Sequence, residues 1–189
     1  MGNYWKLVNT VINESDVILL VLDARFPELT RNKEIENKIN KKEKIILYVI
    51  NKCDLISKKA VEKLKKEITP SVFVSAKKKF GGSILFRKIL QLSKGEKSTV
   101  GVLGFPNVGK SSVVNLLKGR KSASVSSTSG HTRGIQFINA KGRFNLIDTP
   151  GVLEFNDPDK YKQIIIGSVN SHKLKDPEFY VMKLIEEFT

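Results

Sequence analysis

Apolar and polar residues occur along the chain in two kinds of block, which predict alternating strands and helices. Two uninterrupted apolar runs of six residues, 17–22 and 45–50, are typical of strands that are buried on both faces. Apolar residues recur at helical spacing over 4–12, and again on one side of the polar stretch 28–42. The first third of the chain is therefore predicted to run helix, strand, helix, strand.

The same alternation continues along the chain. Further apolar patterns predict a helix that ends before Pro70, a strand at 72–74, a helix at 84–92, a strand at 99–103 and a helix at 113–117. Segments 135–139 and 144–148 are predicted to form a hairpin. The stretch 119–134 is rich in Ser, Thr, Gly and basic residues without periodicity, which predicts a loop. Asp157-Pro158 and Asp176-Pro177 are typical helix starts.

Strands that are apolar on both faces and alternate with helices predict an α/β fold. Such a fold has a mostly parallel sheet with helices on both faces. We predict a single domain over 1–155, followed by a C-terminal helical tail over 156–189. Ligands of these sheets bind at the carboxyl ends of the strands, so the motifs that follow the strands are the first candidates for a site.

The charge of the chain adds a candidate partner. The 189 residues carry a formal net charge of +14, from 33 basic and 19 acidic side chains. Such an excess favours a polyanionic partner, and RNA is favoured over the alternative of a lysine-rich solvated surface. One cysteine excludes an intramolecular disulfide, and no apolar run approaches the roughly 20 residues that span a bilayer. We therefore expect a monomeric cytoplasmic protein with no membrane partner.

A phosphate-binding loop is predicted at 104–111, where the sequence GFPNVGKS follows a strand and begins a helix. Backbone amides of such a loop wrap phosphate groups, and the helix N-terminus adds a favourable dipole. Lys110 is predicted to reach the outer phosphates, and the Ser111 hydroxyl to ligate Mg²⁺. The residues predicted to bind the phosphates are Asn107, Val108, Gly109, Lys110, Ser111 and Ser112.

A guanine-binding segment is predicted at 51–54, where Asn51, Lys52 and Asp54 follow the second strand. A carboxylate at Asp54 can accept hydrogen bonds from the N1 and amino groups of guanine. Adenine would leave the carboxylate desolvated and unpaired, at a cost of about 1–3 kcal/mol. Asn51 is predicted to brace the loop and reach the base edge, and the stem of Lys52 to cover a ring face. Cys53 is interpreted as an ordinary small residue.

Two further segments end strands at the same predicted edge of the sheet. In Ser75-Ala76-Lys77 a backbone amide is predicted to donate to guanine O6. Asp148 is predicted to hold Mg²⁺ through water, and the amide of Gly151 to sense a γ-phosphate. Each segment alone could be a simple turn. Four such segments at one sheet edge predict a single site for GTP or GDP with Mg²⁺.

As a set these motifs resemble those of the translation-factor class of GTPases, and their order resembles that of the circularly permuted YlqF/YawG family of ribosome-assembly GTPases. In ordinary members the phosphate loop comes first, whereas here 51–54 and 75–77 precede 104–111. Segments 23–32 and 174–178 are also similar to signatures of that family. The resemblance covers essentially the whole chain and implies a Ras-like, three-layer P-loop GTPase fold in permuted order.

The resemblance also implies roles for further residues. Thr132 is implied as the second protein ligand of Mg²⁺, with Thr128 as the alternative. Thr132, Lys110, Gly151 and Asn107 are the catalytic residues that it implies. Asn107 matches a residue that in related GTPases helps to hold K⁺ near the β- and γ-phosphates, so K⁺ is a second candidate ion.

The activity implied by the resemblance is slow GTP hydrolysis. Val152 and Leu153 stand where many GTPases place a glutamine that orients the attacking water, and neither can hold a water. The sequence thus predicts a slow GTPase switch in large ribosomal subunit assembly, with rRNA or a precursor of that subunit as partner. The alternative is a GTP-stabilised RNA- or ribosome-binding module with little turnover. A membrane or tRNA-modifying GTPase is disfavoured by the motif order.

Overall fold

The computed structural model describes residues 2–94, 97–118, 136–140, 142–148, 160–167 and 176–188. In chain order its elements are α1 Gly2–Glu14, β1 Val17–Asp23, α2 Pro27–Thr30, α3 Lys33–Lys41, β2 Ile45–Asn51, α4 Lys58–Glu67, β3 Ser71–Phe73, α5 Gly82–Leu92, β4 Ser98–Gly104, α6 Lys110–Lys118, β5 Gln136–Ala140, β6 Phe144–Asp148, α7 Lys160–Ile165 and α8 Pro177–Phe188. A short 3-10 turn, Cys53–Leu55, follows β2.

The strands form one sheet in the order β3-β2-β1-β4-β6-β5. Strand β1 lies between β2 and β4 and is parallel to both, and every one of its residues is buried. The pairs β2–β3 and β4–β6 are also parallel, whereas β5 pairs with β6 in the antiparallel sense. The prediction of a mostly parallel sheet is confirmed, because continuous apolar strands such as β1 require cover on both faces.

Helices supply that cover, and the core is divided into two layers by the sheet. Successive residues of a strand point to opposite faces. Val17, Leu19 and Val21 of β1 accordingly belong to a core with α5 and α6, whereas Ile18, Leu20 and Leu22 belong to a core with α1 and α3. The predicted three-layer arrangement is confirmed.

The polar stretch 28–42 is two helices rather than the one that its apolar spacing predicts. The backbone at Arg31 is extended, with ψ of 138°, and this ends α2. The side chain of Asn32 then accepts a hydrogen bond from the amide of Ile35 at 3.1 Å and caps α3. A capping asparagine competes with helix continuation, and here it outweighs the helical spacing.

The hairpin predicted from 135–139 and 144–148 is confirmed as β5 and β6. Gly142 lies in its turn with φ of +72°, and its amide donates to Asn139 Oδ1 at 2.6 Å. Helix α8 begins at Pro177, as predicted. The loop predicted at 119–134 lies outside the described residues, and the boundary at 155/156 stays a prediction. Among helices of the described ranges, none has the length and apolar character to cross a bilayer.

Candidate functional site

The carboxyl ends of the parallel strands meet at one edge of the sheet. Asp23 at the end of β1 is paired in register with Asn51 at the end of β2. Gly104 ends β4 beside Val21 of β1, and the backbone of Asp148 ends β6 on the other side of β4. The structure thus brings together the strand ends from which all four motifs follow, as the edge rule for parallel sheets requires.

The loop between β4 and α6 has the backbone shape of a phosphate cradle. Its φ angles are positive at Gly104 (+150°), Asn107 (+60°) and Gly109 (+97°), and α6 begins directly afterwards at Lys110. The Lys110 ammonium donates to the carbonyls of Gly104 at 3.0 Å and Phe105 at 2.8 Å. A positive side chain is therefore folded against the loop beside a helix N-terminus, an arrangement that fits bound phosphate.

The remaining phosphate-loop candidates differ in what they present. Ser111 and Ser112 are exposed in the first turn of α6, where the Ser111 hydroxyl is predicted to ligate Mg²⁺. The side chain of Val108 is buried, so Val108 offers only its backbone to a ligand. Asn51 Nδ2 donates to the Val108 carbonyl at 2.8 Å. This hydrogen bond joins the predicted base-binding segment to the predicted phosphate loop.

Asn51 is the junction of three motifs. While its Nδ2 atom holds the phosphate loop at Val108, its Oδ1 atom accepts from the amide of Ala76 at 3.1 Å. The residue is 3% exposed, so both hydrogen bonds lie in a buried environment where their loss is costly. Gly109 passes so close that a Cβ atom there would collide with Asn51 Nδ2. The predicted bracing role of Asn51 accordingly has a geometric basis.

Lys52 crosses the site from the base segment to the phosphate loop. Its backbone is left-handed, with φ of 62°. Its ammonium donates to the carbonyl of Asn107 at 2.8 Å and to Asp23 Oδ2 at 2.7 Å. The ammonium is therefore fixed by two acceptors, and the aliphatic stem runs from the end of β2 to the phosphate loop, which is compatible with the predicted role of covering a ring face.

Asp23 is a site residue to which the sequence assigned no chemistry beyond a family resemblance. Its side chain is 2% exposed and contacts Arg25 through both carboxylate oxygens, at 3.0 and 2.7 Å, as well as Lys52. Burial alone would raise the pKa of Asp23, but hydrogen bonds from Arg25 and Lys52 outweigh it and lower the pKa below the usual 3.8. The sequence did contain a signal for this role, because Asp23 is the one charged residue of β1 and ends an otherwise apolar strand.

Asp23→Asn is expected to weaken GDP binding about tenfold, because a neutral amide holds the Lys52 ammonium less firmly than a carboxylate does. Because the pKa of Asp23 is lowered in the folded chain, the ionised carboxylate stabilises the fold. This contribution to the free energy of unfolding is complete at neutral pH and is lost as the pH falls through that lowered pKa. GDP titration at neutral pH is the measurement. Unchanged GDP affinity would refute a positioning role for Asp23.

Asp54 lies in the 3-10 turn with its side chain 14% exposed. Hydrogen bonding to Ser75 is the main cause that lowers the pKa of Asp54, with Lys78 contributing at 3.6 Å. An ionised carboxylate is an acceptor only, which suits the two donors on the guanine edge. The amide of Ala76 donates to Asn51, and the donation from 75–77 to guanine O6 stays a prediction. Lys77, the last residue of this segment, is exposed.

Residues 160–167 pack against the phosphate loop, a contact that the weak pattern after 151 did not predict. The Asn107 side-chain amide donates to the carbonyl of Gly167. The Lys162 ammonium lies 4.7 Å from the centre of the Phe105 ring, and Ile166 is buried in the same core as α5 and α6. Asn107 thus connects the loop to the segment after α7. Its role as a K⁺ ligand stays a prediction.

Several predicted site residues lie outside the described part of the chain. They are Thr128, Thr132, Gly151, Val152 and Leu153. For Asp148 the structure describes the backbone at the end of β6. Of the predicted Mg²⁺ ligands, Ser111 is therefore the one whose side-chain exposure the structure describes.

Comparison with known proteins supports the same interpretation. Residues 99–186 match a family described as 50S ribosome-binding GTPase. The chain is 46% identical over 184 residues to an uncharacterized GTP-binding protein of Methanocaldococcus jannaschii, a match that covers 95% of this chain and 49% of that protein. It is 37% identical over 189 residues to nucleolar GTP-binding protein 2 of Saccharomyces cerevisiae, covering 94% of this chain and 39% of that protein.

The chain thus spans about half the length of these curated relatives, or less. Among solved structures, YjeQ from Thermotoga maritima matches with a TM-score of 0.49 and 24% identity, over 72% of this chain and 48% of that chain. The sheet order, the loop between β4 and α6 and the family match establish the fold as the α/β fold of P-loop GTPases in circularly permuted order. The predicted fold class is confirmed.

Proposed function

From this permuted P-loop GTPase fold, we propose that the chain binds GTP and GDP with Mg²⁺ and hydrolyses GTP slowly. The observation that carries the proposal is the pair of hydrogen bonds made by the Asn51 side chain, one to the Val108 carbonyl of the phosphate loop and one from the amide of Ala76. A guanine held by Asp54 would have its phosphates directed at Lys110 across this junction. One ligand with both a base and phosphates therefore accounts for the arrangement.

In this proposal each described residue has a separate task. Asp54 accepts from the guanine edge, and Lys52 lines the base while holding the phosphate loop at Asn107. Lys110 offsets negative charge on the outer phosphates, and Ser111 holds Mg²⁺. Bound Mg²⁺ supplies positive charge to the phosphates during transfer. Thr132, Asp148 and Gly151 complete the set as sequence-based predictions.

The proposed biological setting is assembly of the large ribosomal subunit, in the manner of the YlqF/YawG family. Support comes from the motif order, from the match to the 50S ribosome-binding GTPase family, and from relatives named nucleolar GTP-binding protein 2. The net charge of +14 supports rRNA or a subunit precursor as partner. Cytoplasmic location and a monomeric state stay predictions for this chain.

Single-turnover GTP hydrolysis with and without large ribosomal subunits tests this function. We expect slow hydrolysis by the chain alone, because Val152 cannot orient water, and acceleration of roughly tenfold or more by subunits. Tight GTP binding without acceleration would favour the alternative of a GTP-stabilised binding module and would contradict a hydrolytic switch.

GTP turnover is expected to be roughly fivefold or more faster in potassium than in sodium buffer of equal ionic strength, because a cation held beside Asn107 would offset charge that develops on the phosphates. Initial rates at saturating GTP are the measurement, with a choline buffer of the same ionic strength as the reference that contains neither potassium nor sodium. The K⁺ hypothesis fails if the rates in potassium and sodium are equal.

A further inference from the structure

The region around α5 concentrates positive charge without any acidic residue. Between positions 68 and 94 the sequence has no aspartate or glutamate. Its six basic residues are Lys77, Lys78, Lys79, Arg87, Lys88 and Lys94. Within the described part of the chain, no carboxylate lies within 4.0 Å of Lys79, Arg87 or Lys88. Lys78 lies 3.6 Å from Asp54, whereas the positive charges of Lys79, Arg87 and Lys88 are available to an external anion.

Exposed apolar side chains lie among these cations. Phe80 is 56% exposed and Ile84 is 50% exposed. The backbone of Phe80 is fixed by two hydrogen bonds with Ser75, at 3.0 and 3.1 Å, so the ring projects from a rigid base. Arg87 and Lys88 follow Ile84 by three and four positions on α5, which places them on the same helical face.

A cavity of about 200 Å³ adjoins this face between the start of α5 and α6. Its apolar wall includes Phe86 and Leu116, and Lys79 and Ile84 lie at its lining. A recess with both polar and apolar walls and a cation at its lining suits a flat, apolar-faced group that is attached to a negative charge. Nucleobases on a phosphate backbone have this combination.

Helix α4 shows how an ordinary solvated lysine surface differs. It is also lysine-rich, but Lys65 contacts Glu62 at 2.6 Å and Lys63 contacts Glu67 at 3.7 Å. Its charges are thus partly balanced within the helix. Lys79, Arg87 and Lys88 have no such balancing carboxylates within the described part of the chain, and exposed apolar side chains lie among them, so a solvation role does not account for this surface.

We propose that Lys79, Phe80, Ile84, Arg87 and Lys88, here called the α5 surface, bind single-stranded RNA. The inference rests on the proposed function, which names RNA as the partner. The cations contact phosphates, and the Phe80 ring stacks on an unpaired base. A paired duplex hides its base faces, and an acidic peptide offers no base to stack, so the exposed ring favours the single strand.

Fluorescence anisotropy with a labelled oligouridylate of about 12 nucleotides tests this surface on the whole chain. Phe80→Leu keeps an apolar side chain but removes the ring, and we expect roughly fivefold or greater weakening from lost stacking. The triple variant Lys79→Gln, Arg87→Gln, Lys88→Gln is expected to bind with a shallower salt dependence. The negative slope of log K against log salt should decrease in magnitude by about 2, because each lost phosphate contact removes about 0.7 from it.

The matched control is Lys59→Gln, Lys63→Gln, Lys66→Gln on α4, which removes the same charge from an exposed face. Its affinity and salt slope are expected to stay near those of the parent chain. The assignment of the α5 surface would be overturned if the two triple variants lost oligouridylate affinity equally, or if polyglutamate bound as tightly as oligouridylate. GDP affinity on the same preparations tests the nucleotide site independently, so the two proposals fail by different readouts.

Discussion

Asp54→Asn is expected to weaken GTP binding by about 10²- to 10⁴-fold and to improve the binding of xanthosine triphosphate. A carboxylate that accepts from the guanine N1 and amino groups makes two charge-assisted hydrogen bonds, each worth about 1.5–3 kcal/mol. Asparagine is neutral and places a donor against a donor. Xanthine has a 2-oxo group at that edge, and the new amide can donate to it.

The environment of Asp54 is the reason that the expected effect is large. Its side chain is only 14% exposed, and hydrogen bonding to Ser75 lowers its pKa, so that it is ionised throughout the physiological range. Because water has little access to this position, it cannot replace the two hydrogen bonds that the neutral amide fails to make with guanine. The substitution changes one atom and leaves the size of the side chain unchanged, so a collapse of the turn is not expected.

Competition titrations of GTP and xanthosine triphosphate against a fluorescent GDP analogue measure this change of preference. Asp16→Asn is the matched control, because Asp16 is exposed and accepts from the amide of Thr99 at the opposite end of the sheet. Its nucleotide preference is expected to equal that of the parent chain. Unaltered GTP affinity in Asp54→Asn would remove Asp54 from base recognition.

Gly109→Ala is expected to reduce GDP affinity roughly 100-fold. The backbone at this position has φ of +97°, which costs an L-residue about 1–3 kcal/mol. The added Cβ atom would also collide with Asn51 Nδ2. Displacing that side chain breaks its hydrogen bonds to Val108 and Ala76, so the phosphate loop and the base segment lose their connection.

Gly142→Ala is the control for backbone strain outside the site. Gly142 also has a positive φ, +72°, but nothing lies within 4 Å of a Cβ atom built there. Thermal unfolding and GDP titration of both variants are the measurements, and Gly142→Ala is expected to lose some stability with unchanged GDP affinity. Similar GDP affinities for the two variants would show that the contact with Asn51 is unimportant for binding.

Much of the fold could be predicted from local pattern. A wholly apolar run such as 17–22 can be stable only as an element covered on both faces, and the parallel sheet follows from several such runs. Parallel strands place their carboxyl ends at one edge, so the approach of Asn51 to the phosphate loop was predictable in outline. Its specific partners, Val108 and Ala76, were not, because a pattern specifies an edge but no pairwise contact.

The features that escaped prediction depend on contacts between distant residues. The ion pair of Asp23 with Lys52 joins the last residue of β1 to the residue that follows β2, and no periodicity in the sequence indicates it. Ile166 is one apolar residue in a weakly patterned segment, yet it completes the core beside the phosphate loop. The break between α2 and α3 had a local signal in Asn32, a residue type that often caps helices. The sequence prediction followed the helical spacing of the neighbouring apolar residues instead, whereas in the structure the cap at Asn32 prevails.

The central claim is that these strand ends form one site for a guanine nucleotide, and the most direct test is competition of GTP and ATP for a bound fluorescent GDP analogue in the presence of Mg²⁺. Because Asp54 would be left unpaired by adenine, we expect GTP to displace the analogue at a concentration roughly 10³-fold or more below that of ATP. Displacement by GTP and ATP at equal concentrations would contradict the account.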